Sequence, residues 1–233
     1  MRAMTLNADL GEDESMARTR ALLGLVDLAN IACGGHAGTA ASMYLVIERA
    51  RAEGVKVGAH PGLAGEFGRG EADVTPEALA LLLVQQVGGF AAMCRTAGAK
   101  LHHVKLHGAL YHAVERSSTL AQVYVETIGG IFPRTAIVAQ AGGRVVATAR
   151  TAGVRALAEV FAERGYRPDG SLVPRGEPGD LILDPREVAS RVPGLRGDTI
   201  CVHADSPNAL RIARAVRRVI DGDRSRPRAG RAG

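Results

Sequence analysis

Seven short apolar runs, alternating with longer helical patterns, constrain the fold of this 233-residue chain more than any other feature. The runs are MTLNA, ANIAC, VKVGA, LHHVK, TAIVA, RALAEV and TICVHA. One helical pattern between them begins with Thr75 as a cap and Pro76 as the first helical residue, which is typical of a helix start. The alternation predicts an α/β fold with a parallel sheet and helical crossovers.

Polar side chains stand at or just after the ends of most of these predicted strands. They are Asp9, His36, His60, Lys105, His107, Glu159, His203 and Asp205. In an open sheet, seven strands at about 4.8 Å each would spread these residues over roughly 29 Å. Closing the sheet brings all the carboxyl ends to one mouth, where the active sites of (β/α) barrels lie. We therefore predict a single-domain seven-stranded (β/α) barrel rather than a doubly wound open sheet.

The domain boundary is set by the last stretch of the chain. Residues 221–233, DGDRSRPRAGRAG, hold four arginines and read as a disordered basic tail. No linker, repeat or low-complexity segment precedes them, which indicates one catalytic barrel domain over residues 1–220.

Composition excludes several classes of partner. The net charge is +5, with aromatic residues at 3% and no Trp, and the body shows no basic stripe, so no nucleic-acid binding is expected. The longest apolar stretch, ALALLLVQQVGGFAAM, is interrupted by two glutamines and is predicted to be too short to span a bilayer, so no membrane association is expected. The N-terminal segment shows no signal-peptide pattern. Three widely spaced cysteines favour a reducing cytoplasm.

The segment HHVKLHGALYH holds four of the seven histidines. Side chains alternate along a strand, so His103, Lys105 and His107 share one face. Two strand residues four apart have Cα atoms about 13 Å apart. Ligands of tetrahedral zinc need atoms only about 3.3 Å from each other, so His103 and His107 are a poor metal pair. An inward lysine also needs carboxylates around it or an anion to bind. We therefore expect no tightly bound transition metal.

The same argument does not exclude a metal site made of other residues. Asp9, His36 and His60 come from three neighbouring strand ends, and a carboxylate with two imidazoles is a sensible ligand set. This is the rival to an acid–base site centred on Lys105.

Eight segments, in order along the chain, resemble one family. They are LNADLGE, ANIACGGHAG, VGAHPG, GRG after EF, HVKLHGALY, EVFAERGY, DGSLVPR and ICVHAD. Together they are similar to the LamB/YcsF family, whose members are described as the A subunit of bacterial 5-oxoprolinase. The resemblance runs from residue 5 to about residue 220. It departs from the family pattern at several positions, among them Gly35, Leu106 and Glu163.

The resemblance implies an activity, partners and a fold. The implied reaction is the ATP-dependent hydrolysis of 5-oxo-L-proline (pyroglutamate) to L-glutamate, with Mg²⁺ accompanying the ATP. The implied partners are two other subunits, B and C. The implied fold is that of the glycoside hydrolase and deacetylase barrels, in agreement with the strand count. Positions carried over from the family motifs are Asp9, Glu12, His36, His60, Lys105, His107, Tyr111, Glu159, Arg164, His203 and Asp205.

Each candidate residue suits a part of that chemistry. Lys105, Arg69 and Arg164 are cations for a transferred phosphate. Asp9 or Asp205 could act as general base, oriented by His203 or His36. Tyr111 and His107 could donate hydrogen bonds to an oxyanion. Further candidates for substrate or phosphate binding are Asn7, Glu12 and Arg175.

No G-x-x-x-x-G-K-[ST] motif is present, so any nucleotide site here is not a P-loop; GEFGRG (65–70) could wrap phosphate through its backbone. Two alternatives stand beside the lactam hydrolase. One is a metal-dependent deacetylase or amidohydrolase, and the other is a non-catalytic protein that binds the substrate for its partners.

Overall fold

The chain folds into a closed barrel of seven parallel strands in chain order, which confirms the predicted fold class. The computed structural model describes residues 4–65 and 72–225. Each strand pairs with the next, and β7 closes the barrel on β1. The strands are β1 Thr5–Leu10, β2 Leu28–Ala32, β3 Lys56–His60, β4 Leu101–Lys105, β5 Ala136–Gln140, β6 Ala156–Phe161 and β7 Thr199–His203.

Seven α-helices and one short 3-10 helix connect the strands in the described part of the chain, and an eighth α-helix follows β7. Thr75 caps α3 by accepting a hydrogen bond from the Ala78 amide, and Pro76 is its first residue, as predicted. The helices are α1 Met16–Leu23, α2 Ala40–Ala52, α3 Pro76–Thr96, α4 Gly108–Arg116, α5 Ser118–Ile131, α6 Arg144–Thr151, α7 Pro185–Arg191 and α8 Ala209–Ser225. The 3-10 helix is Val192–Gly194.

Helix α3 corrects one expectation. Its 21 residues are long and apolar enough, by length and composition alone, to cross a membrane, whereas the sequence pattern predicts a shorter apolar stretch. One face of the helix is nevertheless buried in the apolar core, through Leu79, Leu83, Val87 and Phe90. This helix is thus a part of the outer layer of the barrel.

The interior of the barrel carries a polar layer below its mouth. The Asn7 amide donates to Thr199 Oγ1 at 2.8 Å, and the Asn30 amide donates to Asn7 Oδ1 at 2.8 Å. His103 Nε2 lies 2.7 Å from Asn30 Oδ1. A Cβ atom at Gly58 would overlap the His103 ring, so only glycine leaves room for this side chain. The layer satisfies buried polar groups internally, and Asn7, predicted to bind substrate or phosphate, belongs to it.

Two predicted segments fall partly or wholly outside the described residues. Helix α8 continues to Ser225, five residues past the predicted boundary at 220, and residues 226–233 of the basic tail are not described. Arg69 and most of the glycine-rich segment 65–70 lie in the undescribed range 66–71.

Candidate active site

A buried ion cluster centred on Lys105 lies at the carboxyl ends of the strands. Lys105 Nζ is 2.9 Å from Asp9 Oδ1 and 3.0 Å from Glu159 Oε1. The same ammonium group is 3.1 Å from Cys201 Sγ. Lys105 is only 2% exposed, so this cation is withdrawn from water and held by two carboxylates from β1 and β6. The expectation that carboxylates neutralise an inward lysine is met by Asp9 and Glu159.

Burial and charge set the protonation of this cluster. Burial opposes ionisation of Asp9, but Lys105 and neighbouring imidazoles outweigh it and hold the pKa of Asp9 well below its usual range. For Lys105, burial is again opposed, chiefly by Asp9, and the pKa is raised well above its usual value. Burial raises the pKa of Glu159, and Lys105 offsets this only in part. Burial and the adjacent Glu159 raise the pKa of Tyr111, whose phenol therefore stays protonated.

His203 stands on the other side of the cluster and is fixed by Glu163. Its Nδ1 and its backbone nitrogen each lie 2.7 Å from Glu163 Oε1, and Glu163 is fully buried. The carboxylate can only accept, so in the neutral imidazole the proton is on Nδ1 and the lone pair is on Nε2. The ring lies nearly parallel to Phe161, with centroids 5.6 Å apart. This is the arrangement of an oriented general base.

Four further side chains converge beside Asp9. His36 Nε2 is 3.0 Å and His107 Nδ1 is 3.1 Å from Glu12 Oε1. His60 Nε2 is 3.5 Å from the same oxygen and 3.1 Å from His107 Nδ1. The rings of His36 and His107 stack with centroids 3.6 Å apart. We call Glu12, His36, His60 and His107 the imidazole cluster; one ligand atom from each lies within 4.8 Å of the others, so the cluster could hold a metal ion.

Neighbouring groups hold the imidazole cluster in place. His60 Nδ1 lies 2.8 Å from the Lys105 carbonyl oxygen, and burial lowers the pKa of His60 to about 3. A Cβ atom at Gly62 would overlap His36 Nδ1 and lie 3.1 Å from His107 Cβ. Gln86 of α3 fixes Gly62 by hydrogen bonds to its backbone nitrogen and oxygen. The stacked pair therefore depends on a glycine at position 62.

The reason for expecting no metal does not hold in this geometry. His103 and His107 are indeed separate, because His103 lies in the layer below. Lys105, however, is engaged by Asp9 and Glu159 rather than standing among the imidazoles. The rival ligand set also changes, since the carboxylate nearest His36 is that of Glu12 and not that of Asp9. A second group of three, Asp9, Cys201 and His203, is also close enough to share an ion.

Several predicted site residues lie away from the Lys105 cluster. Asp205 is exposed on the turn after β7. Arg164 is buried, and its guanidinium donates to the carbonyl oxygens of Asp180 and Val173, which fastens the loop between β6 and α7. Arg175 is exposed; burial, and then the charge of Arg175, lower the pKa of Arg164. Arg164 thus stabilises the loop between β6 and α7, and Arg175 lies on the exposed surface of that loop.

Sequence reasoning missed three residues of the site. In the sequence Glu163 stands out only as a departure from a family motif, and Cys201 only as a buried thiol. Asn30 lies inside an apolar strand pattern, where its amide also donates to Asp9 Oδ1 at 2.8 Å. Alternation along β7 places Cys201 and His203 on one face, and this signal could have found the thiol.

Comparison with known proteins identifies the family. Residues 4–229 match the model of the LamB/YcsF family. The chain belongs to the LamB/YcsF family.

Relatives support this assignment over nearly the whole length. A protein of Pseudomonas syringae pv. tomato, named as a third A subunit of 5-oxoprolinase, is 39% identical, over 95% of this chain and 94% of the relative. A Bordetella pertussis protein, named as the A subunit of 5-oxoprolinase, is 37% identical, over 95% of this chain and 96% of the relative. The crystal structure of the lactam utilization protein from Thermus thermophilus is 36% identical, with a TM-score of 0.87 and coverage of 94% of this chain and 96% of that one.

The same barrel fold occurs in more distantly related structures. A family 4 carbohydrate esterase from Streptomyces lividans superposes with a TM-score of 0.53 at 12% identity, over 95% of this chain and 90% of that one. At that identity the likeness shows the fold alone. The predicted resemblance to deacetylase-type barrels is confirmed.

Proposed function

We propose that this chain is the A subunit of an ATP-dependent 5-oxoprolinase, which hydrolyses 5-oxo-L-proline to L-glutamate while ATP is hydrolysed to ADP and phosphate. The observation that carries the proposal is the 39% identity, over 95% of this chain, to a protein named as an A subunit of 5-oxoprolinase. The similar structure of a protein named for lactam utilization supports it further.

The Lys105 cluster suits the charge that this reaction develops. A lactam is a stabilised amide, so its oxygen must be activated before water attacks. In the route we propose, the amide oxygen takes the phosphoryl group of ATP and ADP leaves. Water then adds to the activated carbon, and the ring C–N bond breaks as the nitrogen takes a proton. A second water releases phosphate from the resulting acyl phosphate and leaves L-glutamate. Lys105, fixed by Asp9 and Glu159, provides a buried cation for the developing negative charge. The protonated Tyr111 phenol can donate a hydrogen bond to the amide oxygen of the lactam.

His203 is a better general base in this route than either carboxylate considered from the sequence. Asp9 is bound to Lys105 and has a depressed pKa, which makes it a weak base. Asp205 is exposed on a turn. His203 has its Nδ1 held by Glu163, which leaves Nε2 to take a proton from the attacking water. Asp9 then serves to position Lys105.

Partners, nucleotide and compartment complete the proposal. The relatives are named as one lettered subunit of 5-oxoprolinase, which supports a complex with two other subunits, B and C. We place their contacts on the loops at the mouth, including residues 166–175, because the lactam and the phosphates of Mg·ATP need shelter from water. The buried thiols of Cys33, Cys94 and Cys201 support a reducing cytoplasm.

Reconstitution tests this function. The isolated chain, with 5-oxoproline, ATP and Mg²⁺, should release no glutamate at a useful rate. Titration of the two partner subunits should produce glutamate release that depends on ATP. Steady turnover by the chain alone, or partners that bind without changing the rate, would contradict the proposal.

The imidazole cluster favours a second candidate, a metal-dependent deacetylase or amidohydrolase. A divalent ion held there by Glu12, His36, His60 and His107 would supply Lewis-acid chemistry toward a substrate carbonyl. This candidate predicts amide or ester hydrolysis that needs no ATP, which separates it from the lactam hydrolase.

A further inference from the structure

We propose that the imidazole cluster is a binding site for one divalent transition-metal ion of the zinc type. The site would be formed by side chains that follow or end β1, β2, β3 and β4. It lies beside the Lys105 cluster but shares no residue with it. The inference does not rest on the proposed lactam hydrolysis, because it concerns ligand chemistry alone.

The separations between the donor atoms fit a shared ion. The four contacts among Glu12 Oε1 and the imidazole nitrogens measure 3.0, 3.1, 3.1 and 3.5 Å. Bonds of about 2.0 Å in tetrahedral arrangement place ligand atoms about 3.3 Å apart. Three imidazoles and one carboxylate also form a donor set that selects zinc and its neighbours over magnesium or calcium.

His60 is held in the orientation that a metal ligand requires. A carbonyl oxygen can only accept, so His60 Nδ1 donates to Lys105 O at 2.8 Å. The lone pair of His60 Nε2 then points into the cluster, 3.1 Å from His107 Nδ1 and 3.5 Å from Glu12 Oε1. An ion held there would accept this lone pair together with the carboxylate oxygen of Glu12. The carbonyl contact is also the usual second partner of a metal-bound histidine.

The charges around Asp9 and Glu12 also support a cation in the imidazole cluster. Asp9 has its counter-ion in Lys105, at 2.9 Å. The ion pairs of Glu12 among the described residues, in contrast, are all with histidines. A divalent ion would compensate a carboxylate that is only 16% exposed.

Glycine and glutamine at neighbouring positions keep the space for the site. Gly62 lies against His36 Nδ1, which turns Nε2 of that ring toward Glu12. The backbone of Gly62 is held on both sides by the Gln86 side chain. The rings of His36 and His107 are thereby fixed at a stacking distance of 3.6 Å.

The experiment measures zinc binding by the full chain, purified without a histidine tag and stripped with a chelator. Equilibrium dialysis against Zn²⁺ in excess Mg²⁺, followed by elemental analysis, should give one zinc per chain. Glu12→Gln and His36→Gln should each weaken zinc binding by at least about 100-fold, because loss of an outer partner alone costs about 10–100-fold. The matched control His102→Gln, on the outer side of β4, and Asp9→Asn should keep the zinc.

A second readout guards against variants that fail to fold. Co²⁺ added to the stripped wild-type chain should give visible d–d absorption that excess Zn²⁺ removes, and circular dichroism of each variant should match the wild type. Absence of stoichiometric zinc, or zinc retained equally by Glu12→Gln and His36→Gln, would overturn the site and leave a hydrogen-bonded network of imidazoles. Loss of zinc in Asp9→Asn with retention in Glu12→Gln would overturn this ligand set.

Discussion

Replacing Lys105 with methionine should destabilise the fold as well as stop the reaction. Methionine keeps most of the length of the side chain but removes the ammonium group. Lys105 is 2% exposed and lies 2.9 Å from Asp9 and 3.0 Å from Glu159, so its loss leaves two buried carboxylates without a cation. Breaking a buried ion pair in this way costs about 3–5 kcal/mol. A lysine exposed to water at the mouth of the barrel would instead give almost no loss of stability.

The sign of the pH dependence follows from the same contacts. In Lys105→Met the pKa values of Asp9 and Glu159 in the folded state should rise above their unfolded values of about 3.9 and 4.3. A raised pKa in the folded state means that stability is fully present below the unfolded pKa and is lost as the pH rises. The deficit of Lys105→Met relative to the wild type should therefore shrink from about pH 8 to about pH 5.

Urea unfolding at the two pH values measures both effects, and Lys105→Met/Asp9→Asn provides the control. Asparagine removes one uncompensated charge with nearly the same shape, so the double variant should recover about 1–3 kcal/mol. A deficit under about 1 kcal/mol would show that the pair is screened by water, as at an exposed surface. A deficit that is independent of pH would refute the electrostatic reasoning.

Three further predictions follow from single contacts. Glu163→Gln should lower kcat at least about tenfold, since the His203 ring loses the carboxylate that holds its Nδ1; a kcat equal to that of the wild type would contradict this. Gly58→Ala should cost about 1–3 kcal/mol in urea unfolding, because the new Cβ meets His103, whereas Gly88→Ala in open space on α3 should stabilise by about 0.5–1 kcal/mol. Burial holds the pKa of His103 well below its usual value. The contribution of neutral His103 to the free energy of unfolding is therefore fully present above about pH 6.5, and it falls by up to about 1.4 kcal/mol per pH unit as the pH drops below that value. His103→Leu should flatten this dependence of stability on pH.

The fold was predictable because the sequence pattern that specifies its strands and helices acts over short distances along the chain. Each of the seven runs forms a strand within one or two residues of its expected bounds, since apolar alternation and helix caps act over short distances. Closure of the barrel follows from polar strand ends, which an open sheet could not bring together. The extension of α8 to Ser225 was missed, because the end of a helix depends on packing that the pattern does not show.

The site was predictable only in part. Alternation placed Lys105 inward, and the strand ends correctly indicated its neighbours Asp9 and Glu159. Glu163 could not be found in this way, because it follows β6 in irregular backbone and reaches His203 by long-range contact. The choice of Glu12 over Asp9 as partner of His36 likewise depends on how two loops turn after their strands. Periodicity carries no information on such turns.

The most direct test of the account is glutamate release by the complex of this chain with its two partner subunits, measured with and without ATP. Wild type and His203→Gln should be assayed in parallel, with His102→Gln as the matched control on the outer side of β4. We expect release by the wild type only with ATP, a loss of at least about 100-fold in His203→Gln, and a rate within about threefold of wild type in His102→Gln. Release without ATP, or a His203→Gln rate equal to that of wild type, would contradict the account.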